Sequence, residues 1–228
     1  RILKWSTEGR LSTFLQPAGR ANGMCVAPTG DLIACADEKT ALWSIAPDGT
    51  TTVLLDTYGS KALNGPNDVW VRPDGALYFT DPFYPRPWWT HDTMPQEGQH
   101  VYFLSADRQR LVRVITDLTK PNGIIGTPDG RSLFVSDIEA NRTYRYDIAP
   151  DGSLSAKTLV VEHGSDGMTL DDEGHLFLTG DGVMVFDSHG QIDHIRVPDE
   201  KWTANAAFGG KDRQTLFITA STGLHGVR

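Results

Sequence analysis

The stretch NGPNDVWVRPDGALYFTD, residues 64–81, decides the fold. A polar loop enters a short apolar strand (DVWV), a P-D-G turn reverses the chain, and a second apolar strand (ALYFT) ends in Asp81. Asp-Gly between two runs rich in Val, Leu, Tyr and Phe is a strong short-range hairpin signal. Working outward, the same pattern recurs in RANGMCVAPTG (20–30), KPNGIIGTPDGRSLFVSD (120–137), GSDGMTLDDEGHLFLTG (164–180) and TANAAFGGKDRQTLFITA (203–220). A further hairpin follows the copies, as in VYFLSADRQRLVRVITD (101–117). No amphipathic helical period of useful length interrupts them, so the chain reads as all-β.

In each copy a polar residue stands eight positions before the turn: Asn22, Asn67, Asn122, Asp166 and Asn205, ahead of Gly30, Gly75, Gly130, Gly174 and Arg213. Repeats of roughly 40–50 residues with four strands each are the mark of propeller blades. The boundaries fall near 21–56, 66–117, 120–161, 165–198 and 203–228, and residues 1–16 read as the outer hairpin of one more blade. The expectation is a single-domain, six-bladed β-propeller whose opening inner strands precede Arg1, because a ring closed between its termini leaves no bare sheet edge.

In a four-stranded meander the first strand lines the central channel. The five polar slots then sit around the axis on one face, and the P-D-G turns sit on the other. The loop PFYPRPWWTHDTMPQEGQ (82–99) overhangs the slot face, where long loops tend to act as lids. Its Trp88 and Trp89 could wall a pocket or pack on the blade below. His91 and His163 could assist proton transfer or be ordinary loop histidines. Each Asn or Asp could equally make a local Asx turn. The strand-ending residues Asp37, Asp81, Asp137 and Asp181 read as solvated turn residues.

A ring of amide oxygens with one carboxylate suits a hard cation: Ca²⁺ accepts 6–8 oxygens in loose geometry, and Zn²⁺ or another divalent ion could enter an open oxygen site. No HExxH, CxxC, GxSxG or glycine-rich phosphate loop is present. The net charge of −8, without a basic block, excludes nucleic acid as a partner on electrostatic grounds. No apolar run reaches the ~18 residues of a membrane-spanning helix. Cys25 and Cys35 flank one turn and read as free thiols ahead of a cross-strand disulfide. Compartment, cytoplasmic or periplasmic, and oligomeric state are not legible.

Residues 64–84, 120–137 and 165–180, with 20–30 and 207–222, resemble the signature blades of the gluconolactonase, senescence-marker-protein and luciferin-regenerating-enzyme family. The resemblance implies a six-bladed propeller that opens sugar lactones with Ca²⁺ or Zn²⁺. It implies Asn122 and Asp166 as metal ligands, and Asn67 as a residue that borders the metal and contacts substrate. A third ligand, a Glu, would precede Arg1, and Glu8 in its hairpin turn is no substitute. Gly65 stands where the animal branch has Arg, so the bacterial pattern fits better. The expected function is metal-dependent lactone hydrolysis, with Asp166 as general base. Asn22, Asn205, Trp88, Trp89 and His91 are further pocket candidates. The alternative is a non-catalytic ligand-binding or protein-docking propeller with a structural Ca²⁺.

Overall fold

A computed structural model describes residues 1–198 and 200–228. Four four-stranded antiparallel meanders and one three-stranded sheet follow one another along the chain. Blade 1 comprises Ala21–Val26, Leu32–Ala36, Ala41–Ile45 and Thr51–Leu55; blade 2 comprises Val69–Val71, Leu77–Asp81, His100–Leu104 and Leu111–Ile115. Blade 3 comprises Pro121–Gly126, Ser132–Asp137, Arg142–Ile148 and Leu154–Val161. Met168–Leu170, Leu176–Gly180, Gly182–Asp187 and Gly190–Ile195 form blade 4, and Thr203–Gly209, Thr215–Ala220 and Gly223–Val227 form blade 5.

The expectation of six blades is therefore corrected to five. Ile2–Trp5 and Leu11–Leu15 pair only with each other, as a separate two-stranded sheet. Ile2, Phe14 and Leu15 pack against Ala34, Trp43 and Ile45, so this hairpin covers an outer face of blade 1. A strand pattern in sequence specifies pairing with some neighbour, but which neighbour depends on the surface it covers.

The core lies between blades, and the period of two along each second strand explains it. In Leu32–Ala36, Ile33 and Cys35 join the cluster shared with blade 2, while Leu32 and Ala34 turn toward the hairpin. In blade 2, Leu77 and Phe79 face blade 1, while Tyr78 joins Ile124, Leu133 and Val135 of blade 3. Both faces are buried, so these strands read as continuous apolar runs and not as alternating ones. Each such side chain contributes about 1.5–3 kcal/mol of burial. Similar clusters join blade 3 to blade 4 and blade 4 to blade 5. None joins blade 5 to blade 1 among the described residues; Met24, Val26, Phe217 and Leu224 line a cavity there.

Candidate functional site

Neighbouring blades are stitched together beside the axis. Gly23 N donates to the Asn67 carbonyl at 2.8 Å, Thr80 Oγ1 to the Asn122 carbonyl at 2.8 Å, and Thr179 Oγ1 to the Ala204 carbonyl at 3.2 Å. This register fixes which side chain of each copy reaches the cavity. Thr80 accepts the amide of Asp68, Thr179 that of Gly167, and Thr219 that of Asn205. Asp68, Gly167 and Asn205 are thus equivalent positions, and the slot held by Asn67 and Asp166 is filled in blade 5 by Ala204. Asn205 lies one place farther along, and its Oδ1 accepts the Ala206 amide at 2.8 Å, a local turn contact. A longer hairpin in blade 5 creates this offset: Asn205 and Thr219 are 14 residues apart, against 12 for Asp68–Thr80 and Gly167–Thr179.

A cavity of about 590 Å³ runs along the axis, lined by Asn22, Asn67, Asp166 and Asn205 among others. Asn122 is buried and capped: its Nδ2 donates to the Tyr84 hydroxyl at 3.0 Å, and its Oδ1 is sealed from solvent without a partner. Trp202 Nε1 donates to Asp166 Oδ2 at 2.8 Å. Burial pushes the Asp166 carboxyl up, while the Trp202 and Asn122 hydrogen bonds and the Arg86 charge draw it partly back. Tyr84, Arg86 and Trp202 were not legible as site residues, because they come from loops whose course depends on the fold. Burial raises the Tyr84 hydroxyl to about 12, so it stays protonated at neutral pH.

Asp68 is a second group missed in sequence, although it follows Asn67 directly. It is buried on the cavity wall, accepts Val69 N at 3.0 Å and Ile124 N at 3.2 Å, and burial lifts its carboxyl to about 7. A Cβ on Gly23 would meet its Oδ1 at 2.2 Å, and one on Gly167 would meet Asn205 Cγ at 2.3 Å. The glycines after Asn22 and Asp166 therefore make room for the neighbouring blade's side chain.

The strand-ending aspartates are corrected as well. Asp37, Asp81 and Asp137 are buried, and only Asp181 is exposed. Asp81 accepts the amides of Asn64 at 3.0 Å and Gly65 at 2.8 Å. Asp137 accepts those of Thr119 at 2.7 Å and Lys120 at 2.9 Å. In both blades these amides lie three and two residues before the slot asparagine, so the carboxylate holds the loop that presents it.

The aromatic candidates are fixed away from the cavity wall. Trp88 Nε1 donates to Asp37 Oδ2 at 3.1 Å, and Trp89 Nε1 to the Asp37 carbonyl at 2.7 Å. Trp89 stacks on His91 with centroids 5.1 Å apart, and His91 Nε2 is buried without a partner. His163 packs beside Phe186, and its carbonyl accepts from Thr143 Oγ1 at 2.7 Å. Cys25 and Cys35 are free; they pair with Ile33 and Leu42 respectively, not with each other.

Residues 1–222 match the family model described as the SMP-30/gluconolactonase/LRE-like region. The chain belongs to this family. Among similar proteins of the SMP-30/gluconolactonase/LRE-like family is a gluconolactonase from Zymomonas mobilis, 29% identical, with 99% of this chain and 71% of that protein aligned. The pentonolactonase XacC of Haloferax volcanii is 33% identical over 69% of this chain, which spans about half, 53%, of that protein's length. A solved Xanthomonas campestris gluconolactonase superposes with a TM-score of 0.89 at 31% identity, covering 98% of this chain and 77% of the other.

The described residues contain no group of three or more His, Cys, Asp or Glu that could hold a metal ion. The donors that fit a cation are of another kind: the partnerless Asn122 Oδ1, the adjacent Asp166 carboxylate and the Asn67 amide. This oxygen-only set, poor in charge, suits Ca²⁺ better than a nitrogen- or sulfur-seeking ion.

Proposed function

We propose that this chain hydrolyses a sugar-type lactone in the axial cavity, with Asn122, Asp166 and Asn67 holding a divalent cation, Ca²⁺ in the first instance. The observation that carries the reading is the buried, partnerless Asn122 Oδ1 beside the Asp166 carboxylate. An amide oxygen left without a hydrogen bond away from water costs about 1–3 kcal/mol unless a ligand meets it. Family membership and the names of the similar proteins support lactone hydrolysis as the chemistry.

Bound there, a divalent cation would polarise the lactone carbonyl and offset the charge that develops on its oxygen. Asp166 takes the proton of the attacking water as the water oxygen bonds to the carbonyl carbon. The ring C–O bond then breaks, and the ring oxygen leaves as a hydroxyl with the proton returned by Asp166. Trp202, donating to Oδ2, orients the Asp166 carboxyl. Burial raises the pKa of the Asp166 carboxyl in the cation-free chain, the direction a general base needs, while a bound cation would draw it back down. Asn67 would bind substrate hydroxyls; its place on the cavity wall, with no side-chain partner among the described hydrogen bonds, supports this role.

The test is hydrolysis of a panel of aldono-δ- and γ-lactones, with and without chelator, by the wild type and by Asp166→Ala. Activity that falls at least a hundredfold in Asp166→Ala and disappears with chelator is expected. Turnover insensitive to both overturns the reading.

A further inference from the structure

The 82–99 loop arises from blade 2, yet three of its side chains converge on one residue of blade 1. Arg86 Nε lies 3.3 Å from Asp37 Oδ1, Trp88 Nε1 donates to Oδ2 at 3.1 Å, and Trp89 Nε1 donates to the backbone carbonyl at 2.7 Å. The Asp37 side chain is only 7% exposed, so these contacts act away from bulk screening. On the other side, the Trp89 ring is bedded on Gly65, where an added Cβ would meet it at 2.6 Å and where φ is +151°. The same loop carries Tyr84 onto Asn122 and Arg86 toward Asp166. Arg20 completes the junction from blade 1, with its guanidinium 4.0 Å from the Trp88 ring centroid.

We infer that Asp37 is a latch: a positioning residue that closes the 82–99 lid across the blade 1–blade 2 boundary and so sets Tyr84 and Arg86 over the slot residues. Gly65 is its counterpart on the blade 2 side, and this explains why a glycine stands two places before Asn67. A side chain there would occupy the seat of Trp89. Tyr84, whose hydroxyl accepts from Asn122, and Arg86, whose charge acts on Asp166, then select lactones bearing several hydroxyl groups over bare alkyl lactones. Only this last, kinetic part rests on the lactonase reading.

Amide hydrogen exchange on the full chain tests the latch without any substrate. In Asp37→Ala, the hydrogen-bonded lid amides, Phe83 N to Gln99 Oε1 and Trp89 N to the Arg86 carbonyl, are expected to exchange at least tenfold faster, with the blade strands unchanged. Asp37→Asn, which keeps one acceptor oxygen, should fall between. If Asp37→Ala does not fold, Trp88→Phe combined with Arg86→Met removes the same two contacts from the lid side and should show the same acceleration. In the kinetic arm, Asp37→Ala should raise KM for a polyhydroxylated lactone at least fivefold, change kcat less than threefold, and leave KM for an unsubstituted δ-lactone unaltered. Unchanged exchange overturns the latch. Faster exchange with unchanged KM overturns its positioning role. If the wild type hydrolyses no lactone, the functional reading fails, and the exchange measurement alone decides the latch.

Discussion

Asp81 is sealed from water while accepting two backbone amides, and burial outweighs those bonds, lifting its carboxyl to about 7. An unfolded Asp titrates near 3.9. Between about pH 4 and 7 the folded chain therefore retains a proton that the unfolded chain has released. The contribution of this group to stability is complete below pH 4 and is lost as pH rises, by at most about 1.4 kcal/mol per pH unit. Asp68 adds a loss of the same sign, whereas His100 and His163, whose pKa values burial lowers, oppose it as pH approaches 6.5. The clean measurement is a difference. Urea unfolding of Asp81→Asn between pH 4.5 and 7 should fall less steeply with pH than the wild type; identical slopes would show that Asp81 does not titrate in this window. At the same scale, Gly126 carries no side chain because a Cβ would meet the Trp70 ring at 2.2 Å. Gly126→Ala should destabilise the protein by about 1–3 kcal/mol through overpacking, measurable as a lower urea midpoint at unchanged m-value.

At the scale of the element, the loops into blades 2 and 3 are shaped by a carboxylate from their own second strand. Asp137→Ala removes the acceptor for the Thr119 and Lys120 amides. It should cost about 1–3 kcal/mol, and it should also weaken cation binding, since Asn122 follows two residues later. Calorimetric titration with Ca²⁺ against wild type checks the second effect; unaltered affinity would mean that the loop keeps its shape unaided. The strand-ending aspartates were visible in the sequence as a repeated feature, but their role was not. A carboxylate at a strand end looks the same whether it meets water or the amides of a loop that precedes it by 17 or 18 residues.

At the scale of the molecule, residues 1–16 form a hairpin laid on blade 1, with Ile2 only 5% exposed against Ala34 and Ile45. Docked in this way, it shields an outer face of the blade and contributes to global stability. Ile2→Ala should lower stability by about 2–5 kcal/mol, the usual cost of truncating a buried Ile. Unfolding free energies equal within error would show that the hairpin is a frayed appendage.

The sequence by itself determined the all-β class, the repeated two-hairpin unit, the direction of the turns and the location of Asn22, Asn67, Asn122 and Asp166 at matching places in their blades. These are local properties, written in turn chemistry and in a fixed distance from each turn. Tertiary structure decided the rest. It set the number of blades, because a lone hairpin carries the strand pattern of a blade half without saying what it will cover. It moved Asn205 out of the slot, because the pairing of blade 5 puts 14 residues between Asn205 and Thr219 where blades 2 and 4 have 12 between the equivalent pair. It drew Tyr84, Arg86 and Trp202 to the site, because a lid and a neighbouring blade meet there only once the blades pack side by side, bringing Asp37 and Trp88 together across 51 residues.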